Sequence, residues 1–181
     1  MKKYIFALII VFSFFGKSLA NYDKLAYEFS FKDIDSKTIY LKDYKNKIII
    51  VVNVASRCGF TNQYEDLQKL WVEYKDKNVI VIGVPSNNFR QEPGNNKEIK
   101  SFCKNTFGIT FPITEKLEVI GDNAHPFFKW AKRNHGINAV PKWNFHKIIV
   151  NKEGKIAKTF SSITNPSSSK FLNYIKKEIK N

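Results

Sequence analysis

What the sequence lacks narrows it first. It has only two cysteines in 181 residues, Cys58 and Cys103, so at most one disulfide closes, and a domain of this size does not need one to fold. No second cysteine stands three residues after Cys58. That position is Thr61, which excludes the local dithiol of a Cys-x-x-Cys reductase. No group of Cys, His and Asp has metal-ligand spacing, and His125, His135 and His146 are read as a helix start, a helix end and a strand flank. The chain has no internal repeat, linker or low-complexity tract. It also has no apolar run of the roughly 20 residues needed to span a bilayer.

Acidic residues are scarce beside basic ones, 16 against 30, giving a formal net charge of +14. Basic chains often bind nucleic acid. Here the lysines are spread over every segment without an arginine-rich patch or a nucleic-acid motif, so a solvated lysine-rich surface is the reading and no nucleic-acid partner is expected. The first twenty residues have the form of a secretory leader. Lys2 and Lys3 precede eleven mainly apolar residues, Ile5 to Phe15, and Ser18-Leu19-Ala20 supplies small residues at the cleavage positions. Residues 1–20 are therefore expected to be a signal peptide, cleaved near Ala20. The mature domain, 21–181, would then be exported and would keep a charge of +11 once Lys2, Lys3 and Lys17 are gone.

The remaining pattern predicts one α/β domain. Alternation in Glu28-Phe29-Ser30-Phe31 and in Thr38-Ile39-Tyr40-Leu41, with a turn between, predicts an N-terminal β-hairpin. Ile48 to Val54 and Val79 to Val84 are continuous β-branched runs, as expected of strands buried on both faces. Between them Tyr64, Leu67, Leu70, Trp71 and Tyr74 recur at helical spacing, with Thr61 or Asn62 as the cap. Further helices are predicted over 95–107, over 126–134 and after Pro166, with strands over 147–150 and 156–160. A central mixed sheet flanked by helices, with a terminal hairpin pair, is the thioredoxin-like plan.

Cys58 falls at the carboxyl end of the first buried strand, where sites of open α/β sheets gather. A helix N-terminus and Arg57 beside it both favour a thiolate, hence a nucleophile; the alternative is a small buried hydrophobe. A thiolate without a neighbouring cysteine can attack a peroxide oxygen and become a sulfenic acid. Cys103 lies on an apolar helical face with Phe102 and Phe107, as a core cysteine would.

Three blocks carry a family resemblance: Asn53-Val54-Ala55-Ser56-Arg57-Cys58-Gly59-Phe60-Thr61, Phe89-Arg90-Gln91-Glu92-Pro93-Gly94, and Lys142-Trp143-Asn144-Phe145-His146-Lys147. In this order and spacing the chain resembles the glutathione peroxidase family, in its cysteine-containing and often thioredoxin-dependent branch. The resemblance runs from about Tyr27 to Ile179. It implies that Cys58 is the peroxidatic residue, that Gln91, Trp143 and Asn144 hold the sulfur anion and the peroxide, and that Cys103 is the resolving thiol. The implied partners are a peroxide substrate and a thiol reductant, either a thioredoxin-like protein or glutathione, with no cofactor or metal. Ser86 stands where many relatives carry a further cysteine. The short link between Asn134 and Trp143 lacks the loop that tetrameric members use, which implies a monomer. The readings that stay open beside this one are an exported thiol–disulfide oxidoreductase and a non-enzymatic redox sensor.

Overall fold

A computed structural model describes residues 22–180; the expected signal peptide lies outside the described residues. The N-terminal hairpin pairs β1 (Ser30–Lys32) with β2 (Thr38–Tyr40), antiparallel, Phe31 opposite Ile39. The main sheet has four strands: β3 (Ile48–Val54), β4 (Val79–Pro85), β5 (Lys147–Val150) and β6 (Ile156–Phe160). Their order is β4-β3-β5-β6, with β3 parallel to β4 and antiparallel to β5. The parallel pair is joined by helix α1 (Gln63–Tyr74). Helices α2 (Asn96–Phe107), α3 (Pro126–His135) and α4 (Ser169–Lys180) follow.

All seven residues of β3 are buried, because it is a central strand covered on both faces. The strand repeat of two divides its side chains between two cores. Ile48, Ile50, Val52 and Val54 join a cluster with Leu67 of α1, Ile99 and Cys103 of α2, and Phe171 and Ile175 of α4. Ile49 and Val51 also reach a second cluster with Phe31 of the hairpin and Phe127 and Trp130 of α3. The helices end where their sequence dictates. Asn95 and Glu98 form a reciprocal capping box before α2, and Gly108 closes it at φ 59°. At α3 the ring nitrogen Nδ1 of His125 accepts from Phe127 N–H, with Pro126 at the first turn.

Two details depart from expectation. Asn62 occupies the N-cap position of α1 without a side-chain cap bond. The Thr61 hydroxyl is engaged instead within the turn that carries Cys58. The last helix begins at Ser169, three residues past Pro166, after a turn held by the Asn165 side chain and carbonyl.

One buried charge needs its own account. Lys147 of β5 is fully buried on the α1 side of the sheet. Its ammonium donates to Gln63 Oε1 and, at 2.7 Å, to the Thr164 carbonyl, while Gln63 Nε2 donates to the Ser162 carbonyl at 2.7 Å. The start of α1, the sheet and the 161–164 loop are thus fastened by one polar junction without a carboxylate. Burial pulls the ammonium down from 10.5 to about 7. Unfolding restores the ordinary value, so between those limits the unfolded chain binds the extra proton and stability rises with pH; below about pH 7 both states are protonated and this contribution is flat. Over pH 7–9, urea denaturation is expected to show stability rising by up to ~1 kcal/mol per pH unit, with the slope removed in Lys147→Met. Above pH 9 burial of Cys103, whose thiol is pushed up to about 11, acts in the opposite sense.

Candidate active site

β3 delivers Cys58 to the carboxyl edge of the sheet within a tight turn. Cys58 N–H donates to Thr61 Oγ1 at 3.0 Å, the Thr61 hydroxyl donates to the Ala55 carbonyl at 3.0 Å, and Thr61 N–H donates to the Cys58 carbonyl at 3.0 Å. Thr61, which as a sequence feature only excludes a second thiol, therefore braces the turn. Cys58 is 8 % exposed, and its sulfur accepts from Phe60 N–H at 3.4 Å. Helix α1 starts five residues beyond the thiol, so the contact the sulfur receives is this one turn amide rather than the first turn of the helix.

The second segment is the loop leaving β4. It is tied to the cysteine turn in two places. Arg57 N–H donates to the Gln91 carbonyl at 3.0 Å. Glu92 Oε2 accepts from both the N–H and the hydroxyl of Ser56, each at 2.8 Å. Glu92 is 1 % exposed, and burial raises its carboxyl pKa against the opposing pull of the Ser56 hydrogen bonds, Lys116 and Arg57. Ser86 is buried, its hydroxyl donating to Asn88 Oδ1 at 2.9 Å.

The third segment is the turn entering β5. Asn144 is fully buried, and its Nδ2 donates to Gln91 Oε1 at 2.7 Å. That bond leaves the Gln91 NH₂ free to donate and leaves Asn144 Oδ1 as a buried acceptor with no partner among the described residues. Trp143 is 41 % exposed, its ring 5.4 Å from that of Phe89 at the rim. So the structure brings Gln91 and Asn144 into direct contact beside the Cys58 turn and leaves Trp143 exposed against Phe89. Among the described residues none of the three bonds the sulfur directly.

Sequence reasoning quoted Asn53 within a motif and assigned it no role. The structure gives it four hydrogen bonds. Its Nδ2 donates to the Trp143 carbonyl at 3.1 Å, its Oδ1 accepts from His146 N–H at 3.0 Å, its carbonyl accepts from Phe145 N–H at 2.6 Å, and its own N–H donates to the His146 carbonyl at 3.3 Å. The one available signal was a polar residue inside an otherwise apolar strand, which when buried must find partners. The residues flanking the two amides carry positive φ, Arg90 at 58° and Phe145 at 64°. Each such non-glycine conformation costs about 1–3 kcal/mol and persists only where surrounding bonds over-determine it.

Cys103 and Cys58 are both free thiols in this structure. Cys103 is 3 % exposed on the inner face of α2 beside Tyr64, whose buried hydroxyl lacks a hydrogen-bond partner of normal geometry. Burial is the main cause of its raised pKa, the Tyr64 hydroxyl pulling the other way. A cleft of about 430 Å³ lined by Arg57, Glu92, Ile99 and Phe102 separates the cysteine turn from the first turns of α2.

Two variants test this framework. Asn53→Ala leaves the Trp143 carbonyl and the His146 N–H unpaired and is expected to cost ~2–4 kcal/mol in urea denaturation. Glu92→Ala, which strands both Ser56 donors, is expected to cost a similar ~2–4 kcal/mol. The fold should persist in each, by near-ultraviolet circular dichroism, while reactivity of Cys58 toward peroxide falls.

With this geometry in view, the comparisons with known proteins speak to one family. The family model described as "Glutathione peroxidase" matches residues 26–132. The hydroperoxy fatty acid reductase gpx1 of Synechocystis sp. is 42 % identical over 156 residues, covering 81 % of this chain and 92 % of that one. The glutathione peroxidase-like peroxiredoxin gpx1 of Schizosaccharomyces pombe is 42 % identical over 144 residues, 77 % of this chain and 90 % of that one. Among solved structures, the crystal structure of T. cruzi GPX1 superposes with a TM-score of 0.67 at 27 % identity, covering 87 % of this chain and 98 % of that one. A thioredoxin-family thiol:disulfide interchange protein of Chlorobium tepidum, at 16 % identity and a TM-score of 0.64 over 83 % of this chain and 92 % of that one, shares the fold alone. The thioredoxin-like fold read from the strand and helix pattern is therefore the observed one, and the chain belongs to the glutathione peroxidase family.

Proposed function

We propose that this protein is a thiol peroxidase whose reacting atom is the sulfur of Cys58. The observation that carries the reading is the meeting of three segments at the end of β3: the Cys58 turn, the Gln91 loop bonded to it through Arg57 N–H, and the Asn144 turn bonded to Gln91. The Cys58 thiolate attacks the distal peroxide oxygen. The S–O bond forms as the O–O bond breaks, the sulfur is oxidised to a sulfenic acid, and the peroxide leaves as alkoxide or hydroxide that takes up a proton to give alcohol or water. The Gln91 NH₂ group and the Trp143 indole N–H supply donors for the developing oxyanion, and the unpaired Asn144 Oδ1 can accept a hydrogen bond from the hydroperoxide O–H.

A second thiol then attacks the sulfenic sulfur, forming a disulfide and releasing water. Cys103 takes that role in this reading, with a dithiol protein of thioredoxin type as the two-electron donor that restores both thiols. The raised pKa and burial of Cys103 mean that α2 must open before this sulfur can react, and bridged Cα atoms must come within ~7 Å. Without Cys103, glutathione would complete the cycle. Export after cleavage near Ala20 rests on the lysines, apolar run and small residues of positions 1–20. A monomer rests on the short connection between Asn134 and Trp143.

One equivalent of hydrogen peroxide is expected to give a Cys58–Cys103 disulfide in peptide mass mapping. Cys58→Ser is expected to abolish peroxide consumption, and undiminished consumption would overturn the proposal. Cys103→Ser should keep the first turnover and accumulate sulfenic or sulfinic acid on Cys58. If instead it turns over normally with a dithiol protein, Cys103 has no part in the cycle.

A further inference from the structure

After Trp130, Tyr64 of α1 is the largest side chain that the described fold encloses completely. The Trp130 indole N–H has a partner, the Lys24 carbonyl at 2.9 Å. The Tyr64 hydroxyl has no hydrogen bond of normal geometry among the described residues. Beside it lies the Cys103 thiol, a weak acceptor. The peroxide chemistry at Cys58 makes no use of this hydroxyl. Phenylalanine would fill the same space without it, and a buried polar group left unpaired is costly.

The ring is fully engaged. It stands edge-on to Phe145 at 5.3 Å, and it packs against Phe107 and Phe102 of α2 at 5.3 and 6.5 Å. Phe102 and Phe107 precede and follow Cys103 on α2 and are only partly buried, so Tyr64 is a main part of the surface on which that helix rests. The other anchors of α2 are few. Ile99 is buried, Asn96 Oδ1 accepts from Lys116 N–H at 2.9 Å, and the Lys100–Asp35 ion pair is half exposed and so contributes little. One side chain thus acts on α2 in two senses. Its ring holds the helix down, and its hydroxyl is left without a partner only while the helix is down. Once α2 lifts, solvent reaches the hydroxyl and the penalty disappears.

We propose that the Tyr64 hydroxyl sets how readily α2 releases Cys103: unpaired beneath the closed helix and solvated beneath the open one, it biases the molecule toward the state in which the resolving thiol can react. Tyr64 is in this sense a positioning residue, acting through α2 and not on the peroxide. The inference rests on the Cys103 step of the proposed cycle and names what regulates it. A ligand or side chain shifts a two-state equilibrium only by its differential free energy for the two states, and here that difference is the solvation of one hydroxyl.

Tyr64→Phe removes the hydroxyl and keeps the ring. In the reduced protein, hydrogen exchange of the α2 amides is expected to slow about tenfold, the equivalent of ~1.4 kcal/mol. Disulfide formation between Cys58 and Cys103 after one equivalent of hydrogen peroxide, followed by quenched-flow alkylation and mass mapping, should slow by a similar factor. Oxidation of Cys58 itself should keep its rate. Gly108→Ala puts a side chain on left-handed backbone at φ 59° and loosens the end of α2 without touching Tyr64. Combined with Tyr64→Phe it should restore both exchange and disulfide formation. An unchanged rate of disulfide formation in Tyr64→Phe overturns the inference and spares the Cys103 step. Slower disulfide formation with unchanged exchange means that the hydroxyl acts on the sulfur directly, and the inference is wrong. Absence of any Cys58–Cys103 disulfide in the wild type overturns the Cys103 step and the inference with it.

Discussion

One buried amide holds the site together. Asn53 stands one residue before the end of the strand that delivers the thiol, and all its polar groups are spent on the segment that delivers Trp143 and Asn144. A hydrophobic residue there would suit the strand and lose the register between the two. Low local dielectric strengthens these bonds and makes any one of them expensive to break. The position of Asn144 beside Gln91 is thus fixed through the backbone on either side of it, by a residue that hydrogen-bonds neither side chain.

The loop after β4 is held by the same logic with a charge in place of an amide. Glu92 receives two hydrogen bonds from Ser56, two residues before the thiol, and its backbone neighbour Gln91 receives one from Arg57. The left-handed backbone at Arg90 and at Phe145 is the counterpart of this anchoring. Each sits next to one of the two bonded amides, so the strain is placed where side-chain direction matters most. A looser scaffold would relax those two residues and turn the amides away from each other.

Much of this was legible in the residue order. The runs 48–54, 147–150 and 156–160 fall on strands with those bounds, because β-branched runs flanked by polar turns leave little choice of period. Asn95 to Phe107 was legible as a helix from its apolar spacing, and the terminal glycine sits where expected, with Asn95 as the cap just outside the first turn. The start of α1 was legible as a place, with Asn62 at the N-cap, but not its bonding, since neither side chain caps and the Thr61 hydroxyl is engaged by the Ala55 carbonyl six residues back. His146 flanks β5 as read, and it is buried there, its N–H donating to Asn53 Oδ1. The roles of Asn53, Glu92 and Lys147 depend on partners 17 to 93 positions away, and no local pattern encodes such pairings.

Helix α2 buries only two side chains, Ile99 and Cys103, yet it is capped at both ends. Its opening is therefore a local unfolding event, drawn from the less stable part of the molecule, while the Cys58 strand packs into both cores. In a cycle that uses both sulfurs, the fraction of time α2 spends open multiplies the rate at which a sulfenic acid on Cys58 is captured. The same fraction sets how long that acid stays exposed to a second peroxide molecule and to irreversible over-oxidation. In that proposed cycle helix capping at Asn95 and Gly108 would act as a timer, tying the onset of over-oxidation to the stability of one twelve-residue helix.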